Sequence, residues 1–426
     1  MEEFPMTNYT MKTSEMKRNI VTFFQPMIEA LPIDKKRFVA DTTFGILKSK
    51  SLIVSEIARN LENDTSQTGN FKRLNRHLKT FNEYHILQAY HRQATKVIGN
   101  TPIFLVDDSD IQKPYGKVFE DLGRVRDGSA KNKNTWGNGY NVAQIVALTE
   151  HTHQPFPIAH QIYSQKEREH KSENYYTNQN IDIALSALTS DQKATFVCDR
   201  GYDDKKQMQF IQERDAHFVI RAATRRKYLI QGEKLTKAEV EARYKGRYKH
   251  QIQFQGDYYQ REVMLSSCQC ELLESTLGTV TLVVVFGVSE KPMLLITNKL
   301  VSTKEDIVSI FNMYFLRWRI EEYFRVIKNV YGFEHMRVQT LKRMNTLSWL
   351  LQFAMGYQAW FIELQHNNIL FDKIIIEAKS YKKSVSIWLY QVSSGISKVL
   401  SYARTNLHEL FGLTRSLRNS MQLQLF

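Results

Sequence analysis

The chain has 426 residues and a formal net charge of +14, from 58 Lys and Arg against 44 Asp and Glu. Hydrophobic residues make up 42% and aromatic residues 12%, which excludes a disordered polyelectrolyte and allows more than one packed core. The charge excess points to a polyanionic partner, nucleic acid first, with a merely basic surface as the plainer reading.

Residues 1–98 read as a helical domain. Ser51 to Leu61 carries apolar residues at Ile53, Val54, Ile57, Ala58 and Leu61, which is helical spacing. After a polar break with Gly69, a second helix places Phe71, Leu74, Leu78 and Phe81 on an apolar face. Lys72, Arg73, Arg76 and Lys79 lie off that face, where they can reach phosphates. The pair reads either as a helix-turn-helix-like DNA-binding unit or as two bundle helices with solvated charges.

From Thr101 the period changes. Pro102 to Val106 is a short buried strand that ends in Asp107-Asp108-Ser109-Asp110. Gln112 to Tyr140 follows, with Gly116, Gly123, Gly128, Gly137 and Gly139 among Arg124, Arg126, Lys131 and Lys133. It is either a DNA clamp beside the acids or a solvated loop. Asn141 to Glu150 and Pro155 to Tyr163 read as strands, and Glu173 to Leu188 as a helix. Ala194 to Cys198 is another buried strand, ending in Asp199-Arg200-Gly201-Tyr202. Asp204 to Glu213 is a helix and His217 to Ala222 a fifth strand. Periodicity supports an α/β class for 99–223. Residues 224–298 are β-rich instead, with Val, Tyr, Phe and Thr in four strand-like runs.

The stretch Phe311 to Gly332 reads as one helix, without proline and with its first glycine at its end. Tyr314, Arg317, Glu321 and Lys328 are spaced three, four and seven apart. That spacing puts a phenol, a guanidinium, a carboxylate and an ammonium on one face. Such a stripe suits a metal ion and the phosphates it acts on, or else a solvated face with Glu–Lys pairs. Residues 336–426 read as helices with basic residues, including Arg337, Lys342, Arg343, Lys382 and Lys383. The most apolar window, Thr346 to Leu364, is interrupted by Gln352, Gly356 and Gln358, so it reads as a buried helix and not a membrane span. The N-terminus is polar and shows no signal-peptide pattern, so a cytoplasmic protein is expected. Three cysteines, with no Cys-x-x-Cys pair, argue against a disulfide framework or structural zinc.

The Tyr314–Arg317–Glu321–Lys328 spacing, with the run Arg317 to Glu322, resembles the signature of bacterial insertion-sequence DDE transposases, the Tyr-Arg-Glu-Lys branch. The resemblance implies a ribonuclease-H-like mixed-sheet core, 99–223 plus 299–335. A β-rich insertion at 224–298 interrupts it, and helical domains flank it at 1–98 and 336–426. It implies that Asp107, Asp199 and Glu321 are the catalytic and metal-binding acids. Asp107 is preferred over Asp108 because the family's acid is followed, after one intervening residue, by Ser or Thr, here Ser109.

The implied cofactor is a pair of Mg²⁺ ions, with Mn²⁺ able to substitute, because phosphoryl transfer on DNA needs both oxygens and the phosphate charge stabilised. Tyr314, Arg317, Lys328 and Arg325 are the expected phosphate contacts. The implied partners are double-stranded transposon ends, target DNA and a second copy of the chain in a synaptic complex, in a nucleoid-associated setting. A nuclease without strand transfer and a non-enzymatic DNA-binding regulator stay open as alternatives. One departure stands out. Where hairpin-forming members carry Trp in a Pro-Trp…Thr-Asn run, Pro292 to Asn298 has Met293. Met293 either wedges between DNA bases or fills a gap under the β-rich block.

Overall fold

The computed structural model describes residues 5–126, 135–253, 260–366, 368–378, 388–408 and 410–413. Gly128, Lys131, Lys133, Lys382 and Lys383 lie outside them.

Five helices come first: α1 (Pro5–Ile28), α2 (Ile33–Ser49), α3 (Val54–Arg59), α4 (Gln67–Thr80) and α5 (Tyr84–Ala94). Helix α3 is shorter than its apolar spacing suggests. Ser51 keeps the preceding residues out of the helix by accepting the Ile53 N–H. Helix α4 starts earlier than expected, because the Ser66 side chain accepts the Gly69 N–H as an N-cap. Leu74, Leu78 and Phe81 are buried as expected, but Phe71 is exposed.

The chain then enters the sheet: β1 (Ile103–Gln112), β2 (Gly123–Arg126), β3 (Trp136–Leu148), β4 (Pro155–Tyr163), α6 (Glu173–Ser186), β5 (Thr195–Cys198), α7 (Lys205–Gln212) and β6 (His217–Arg221). Strand β3 is antiparallel to β1 and β4, whereas β1, β5 and β6 run parallel. The spatial order β4-β3-β1-β5-β6 is that of a ribonuclease-H-like core.

Two expectations change here. The first strand does not stop before the acids. It runs through them to Gln112, because β3 supplies backbone partners as far as Gly139. The glycine-rich stretch is also partly a ribbon, since β2 pairs with the start of β3. Gly139 is there for close packing: a Cβ on it would lie 2.2 Å from the Ile111 carbonyl oxygen.

Next come β7 (Lys227–Ile230), β8 (Glu233–Thr236), α8 (Lys237–Arg243), β9 (Tyr248–Gln253), β10 (Gln260–Leu272), β11 (Thr279–Phe286) and β12 (Met293–Thr297). They extend the core sheet, because β12 pairs antiparallel with β6. Asn298 completes that join: its side chain accepts the Phe218 N–H and donates to the Ala216 carbonyl.

The remaining helices are α9 (Lys304–Phe315), α10 (Trp318–Asn329), α11 (Leu341–Gln365), α12 (Ile369–Glu377) and α13 (Leu389–Ser401). The expected single helix is two, because a tight turn at Leu316 and Arg317 separates α9 from α10. Helix α11 is buried nearly all round, as its lack of a polar face requires. It lies on β4 and against α2, α4, α5 and α13, so the helices from both ends of the chain form one layer with it. Among the described residues no helix is long and apolar enough to cross a membrane.

Two buried histidines bind this layer to the sheet. His91 on α5 bonds the Ile158 carbonyl. His160 on β4 is bonded by Gln144 through Nδ1 (2.8 Å) and by Ser348 of α11 through Nε2 (2.6 Å). The Gln144 amide nitrogen donates to two carbonyls, so its oxygen takes the Nδ1 proton and Nε2 accepts from Ser348. Burial lowers the His160 pKa to about 3 and that of His91 to about 4. Both are therefore neutral in the fold, whereas the unfolded chain takes up protons below about pH 6.5. Stability should fall with pH below that point, by about 2 kcal/mol per histidine between pH 7 and pH 5. Urea unfolding at these two pH values should show a smaller loss for His160→Gln than for wild type. Equal losses would mean that His160 carries no such penalty.

Candidate active site

Strands β1 and β5 pair through four positions, the last being Val106 opposite Cys198. There β5 ends, and Asp199 leads into a 3₁₀ turn at Arg200–Tyr202. Strand β1 continues, so Asp107 is its first residue without a β5 partner. Asp107 and Asp199 therefore occupy corresponding positions on neighbouring parallel strands, about 4.8 Å apart as strands are.

The register also separates Asp107 from Asp108. Asp107 shares its sheet face with Gln144 and His160, the face covered by α11. Asp108 lies on the opposite face with Ala143, where α6 packs. The Asp108 N–H donates to Asp107 Oδ1 at 3.0 Å. That bond leaves Asp107 Oδ2 facing the helices.

Helices α9 and α10 complete the cluster. The tight turn between them is held by Arg317 N–H to Tyr314 O, Arg319 N–H to Leu316 O and Ile320 N–H to Arg317 O. These three-residue bonds are 3₁₀ geometry, which turns the chain more per residue than an α-helix. Tyr314 donates its hydroxyl proton to Asp199 Oδ1 at 3.2 Å. The Arg317 guanidinium spans two acids, with Nη1 3.5 Å from Asp107 Oδ2 and Nη2 2.5 Å from Glu321 Oε1.

The electrostatics match this geometry. Burial pushes the Asp107 pKa up to about 7, and Glu321 and Asp199 add to the rise, while Arg317 and the Asp108 N–H oppose it. Burial weighs against the Arg317 charge, but Glu321 and Asp107 more than offset this and hold it firmly protonated. Burial and Asp199 raise the Tyr314 phenol, and Arg317 and Arg221 oppose the rise. Arg221 was not picked out from the sequence. It ends β6, the next parallel strand after β5, and strand-end position is the signal that would have found it.

The other sequence candidates lie in different surroundings. Lys328 pairs with Asp110 and Glu334, each at 3.2 Å. Arg325 pairs with Glu322 and is exposed. Arg73 is committed to the fully buried Asp41 at 2.5 Å, whereas Lys72 and Arg76 on the same helix are exposed. Arg124 and Arg126 are exposed on β2, away from the acid cluster along the ribbon. Met293 is 6% exposed at the start of β12, so the expected base wedge would first have to leave the core. Two neighbouring acids are structural: Asp203 pairs with Arg226, and Asp204 caps α7.

Among the described residues no group of three His, Cys, Asp or Glu side chains is placed to hold a metal ion. Arg317 stands between two of the three acids. The donor chemistry suits a hard divalent cation, since carboxylate oxygens are its usual ligands and the Asp107 carboxyl, raised by burial and by Glu321 and Asp199, ionises more easily beside added positive charge.

The mixed sheet sets Asp107 beside Asp199 where β5 ends, and helix α10 brings Glu321 to the far side of Arg317. The family model described as the transposase DDE domain matches residues 98–356, more than half the chain and a span that includes Asp107, Asp199 and Glu321. The chain belongs to that family. Among solved structures it is similar to the cryo-EM structure of the piggyBac transposase synaptic complex with hairpin DNA. The identity is 13% and the TM-score 0.41, covering 91% of this chain and 75% of that one. No curated protein matches the chain.

The contrast between Lys328 and Arg325 is testable. Lys328→Met leaves the buried Asp110 and the half-buried Glu334 without this cation and should cost about 1–3 kcal/mol. Arg325→Met changes an exposed pair and should stay within about 0.5 kcal/mol. Urea unfolding of both variants measures this, and equal effects would show that the Asp110–Lys328–Glu334 contact contributes nothing special.

Proposed function

We propose that the chain is a cut-and-paste DNA transposase. It binds the inverted-repeat ends of its element, hydrolyses the 3′ strand and joins the freed 3′-OH to target DNA. The observation that carries this reading is the convergence of Asp107, Asp199 and Glu321 at the point where β5 ends, in a chain of the DDE family.

Asp107, Asp199 and Glu321 would hold Mg²⁺, or Mn²⁺ in its place. Such ions, when bound, neutralise the phosphate and activate the attacking oxygen. The chain's own side chains do the rest. Tyr314 orients Asp199 through its hydroxyl. Arg317, beside Asp107 and Glu321, and Lys328, paired with Asp110 and Glu334, position the phosphates of the cleaved strand, with the exposed Arg325 as a further contact. Lys72 and Arg76 on α4, with Arg124 and Arg126 on β2, supply exposed charge for the flanking duplex. Arg73 acts indirectly, tying α4 to α2 through Asp41. A synaptic dimer brings two ends together.

Asp107→Asn, Asp199→Asn and Glu321→Gln should each abolish cleavage of a labelled end duplex in Mg²⁺ and leave duplex binding largely intact. Efficient cleavage by any one of them removes that residue from the site. Wild type should also join pre-cleaved ends to a supercoiled plasmid. Cleavage without joining would favour a nuclease over a transposase.

A further inference from the structure

We propose that Arg317 is the resident counter-ion of the acid cluster and that a divalent cation must displace it to bind. The proposal rests on the metal role given above to Asp107 and Glu321. These acids are held on different nitrogens of one guanidinium, at 3.5 Å and 2.5 Å. Two ligands of one Mg²⁺ or Mn²⁺ ion lie at most about 4.2 Å apart, since each bond is about 2.1 Å. A planar guanidinium and an octahedral ion cannot both stand between the same two carboxylates.

The exchange is built into the local structure. Glu321 is the more accessible side, with 44% of its side chain exposed, whereas Arg317 is 15% exposed and anchored in the 3₁₀ turn. Once the cation holds Asp107 and Glu321, the Arg317 charge has lost both anions and needs another. The nearest fitting anion is a phosphate of bound DNA, which a guanidinium takes in bidentate fashion. Metal and DNA then favour each other's binding, and the free protein holds metal weakly. Lys328 stands between Asp110 and Glu334 in the same manner.

Mn²⁺ titration of the full chain without DNA, read by the electron paramagnetic resonance of free Mn²⁺, tests this. Arg317→Gln should bind Mn²⁺ about tenfold more tightly than wild type, because the competing charge is gone. Arg317→Lys keeps a cation and should stay close to wild type. Asp107→Asn should abolish binding in every background, and Arg317→Met replaces the Gln variant if that one does not fold. Unchanged or weaker binding by the neutral variant, with wild type binding Mn²⁺, overturns the counter-ion role and leaves the proposed function standing. Absence of Mn²⁺ binding in every variant overturns both.

Discussion

Strand β1 outlasts its parallel neighbour, and the site depends on that inequality. Where β5 stops at Cys198, β1 keeps its antiparallel partner β3 but loses the neighbour on its other side. The resulting notch is open to side chains from elsewhere, and Asp107 and Asp199 form its two walls. Filling it with charge is costly, as the raised pKa of Asp107 shows. Helices α9 and α10 close the notch with a phenol, a guanidinium and a third carboxylate.

The rest of the molecule keeps those helices in place. Helix α10 is tied to α11 by the Tyr323 hydroxyl on Gln352, and α11 to β4 by Ser348 on His160. On the other flank, β12 joins the β-rich strands to β6. The helical layer and the extended sheet thus hold α9 and α10 against the strand ends from two sides. Most of these ties are buried polar bonds, which fix geometry more than they add stability.

Much of this was legible in the sequence. Short apolar runs ending in acids read as parallel strands because strands buried on both faces have no polar alternation. The signature residues read as a constellation because helical spacing brings them together. What was not legible depends on partners. Nothing local in Asp107 to Gln112 shows that β3 extends the strand, and nothing in the run from Phe311 shows the turn at Leu316. Arg73 and Arg76 are alike in sequence, and only the buried Asp41 on α2 separates a structural arginine from an exposed one. Met293 likewise had two readings in sequence, and its burial is seen only once β12 is packed beside β11.

The account stands on the proposal that Asp107, Asp199 and Glu321 together hold divalent cations. A crystal structure of the chain grown in Mn²⁺ with a short duplex tests this directly, because manganese can be located by its anomalous scattering. The account predicts anomalous peaks that between them lie within about 2.1–2.3 Å of oxygens from Asp107, Asp199 and Glu321, with Arg317 turned to a phosphate. A peak elsewhere, or none while Arg317 still bridges Asp107 and Glu321 over bound DNA, would contradict it.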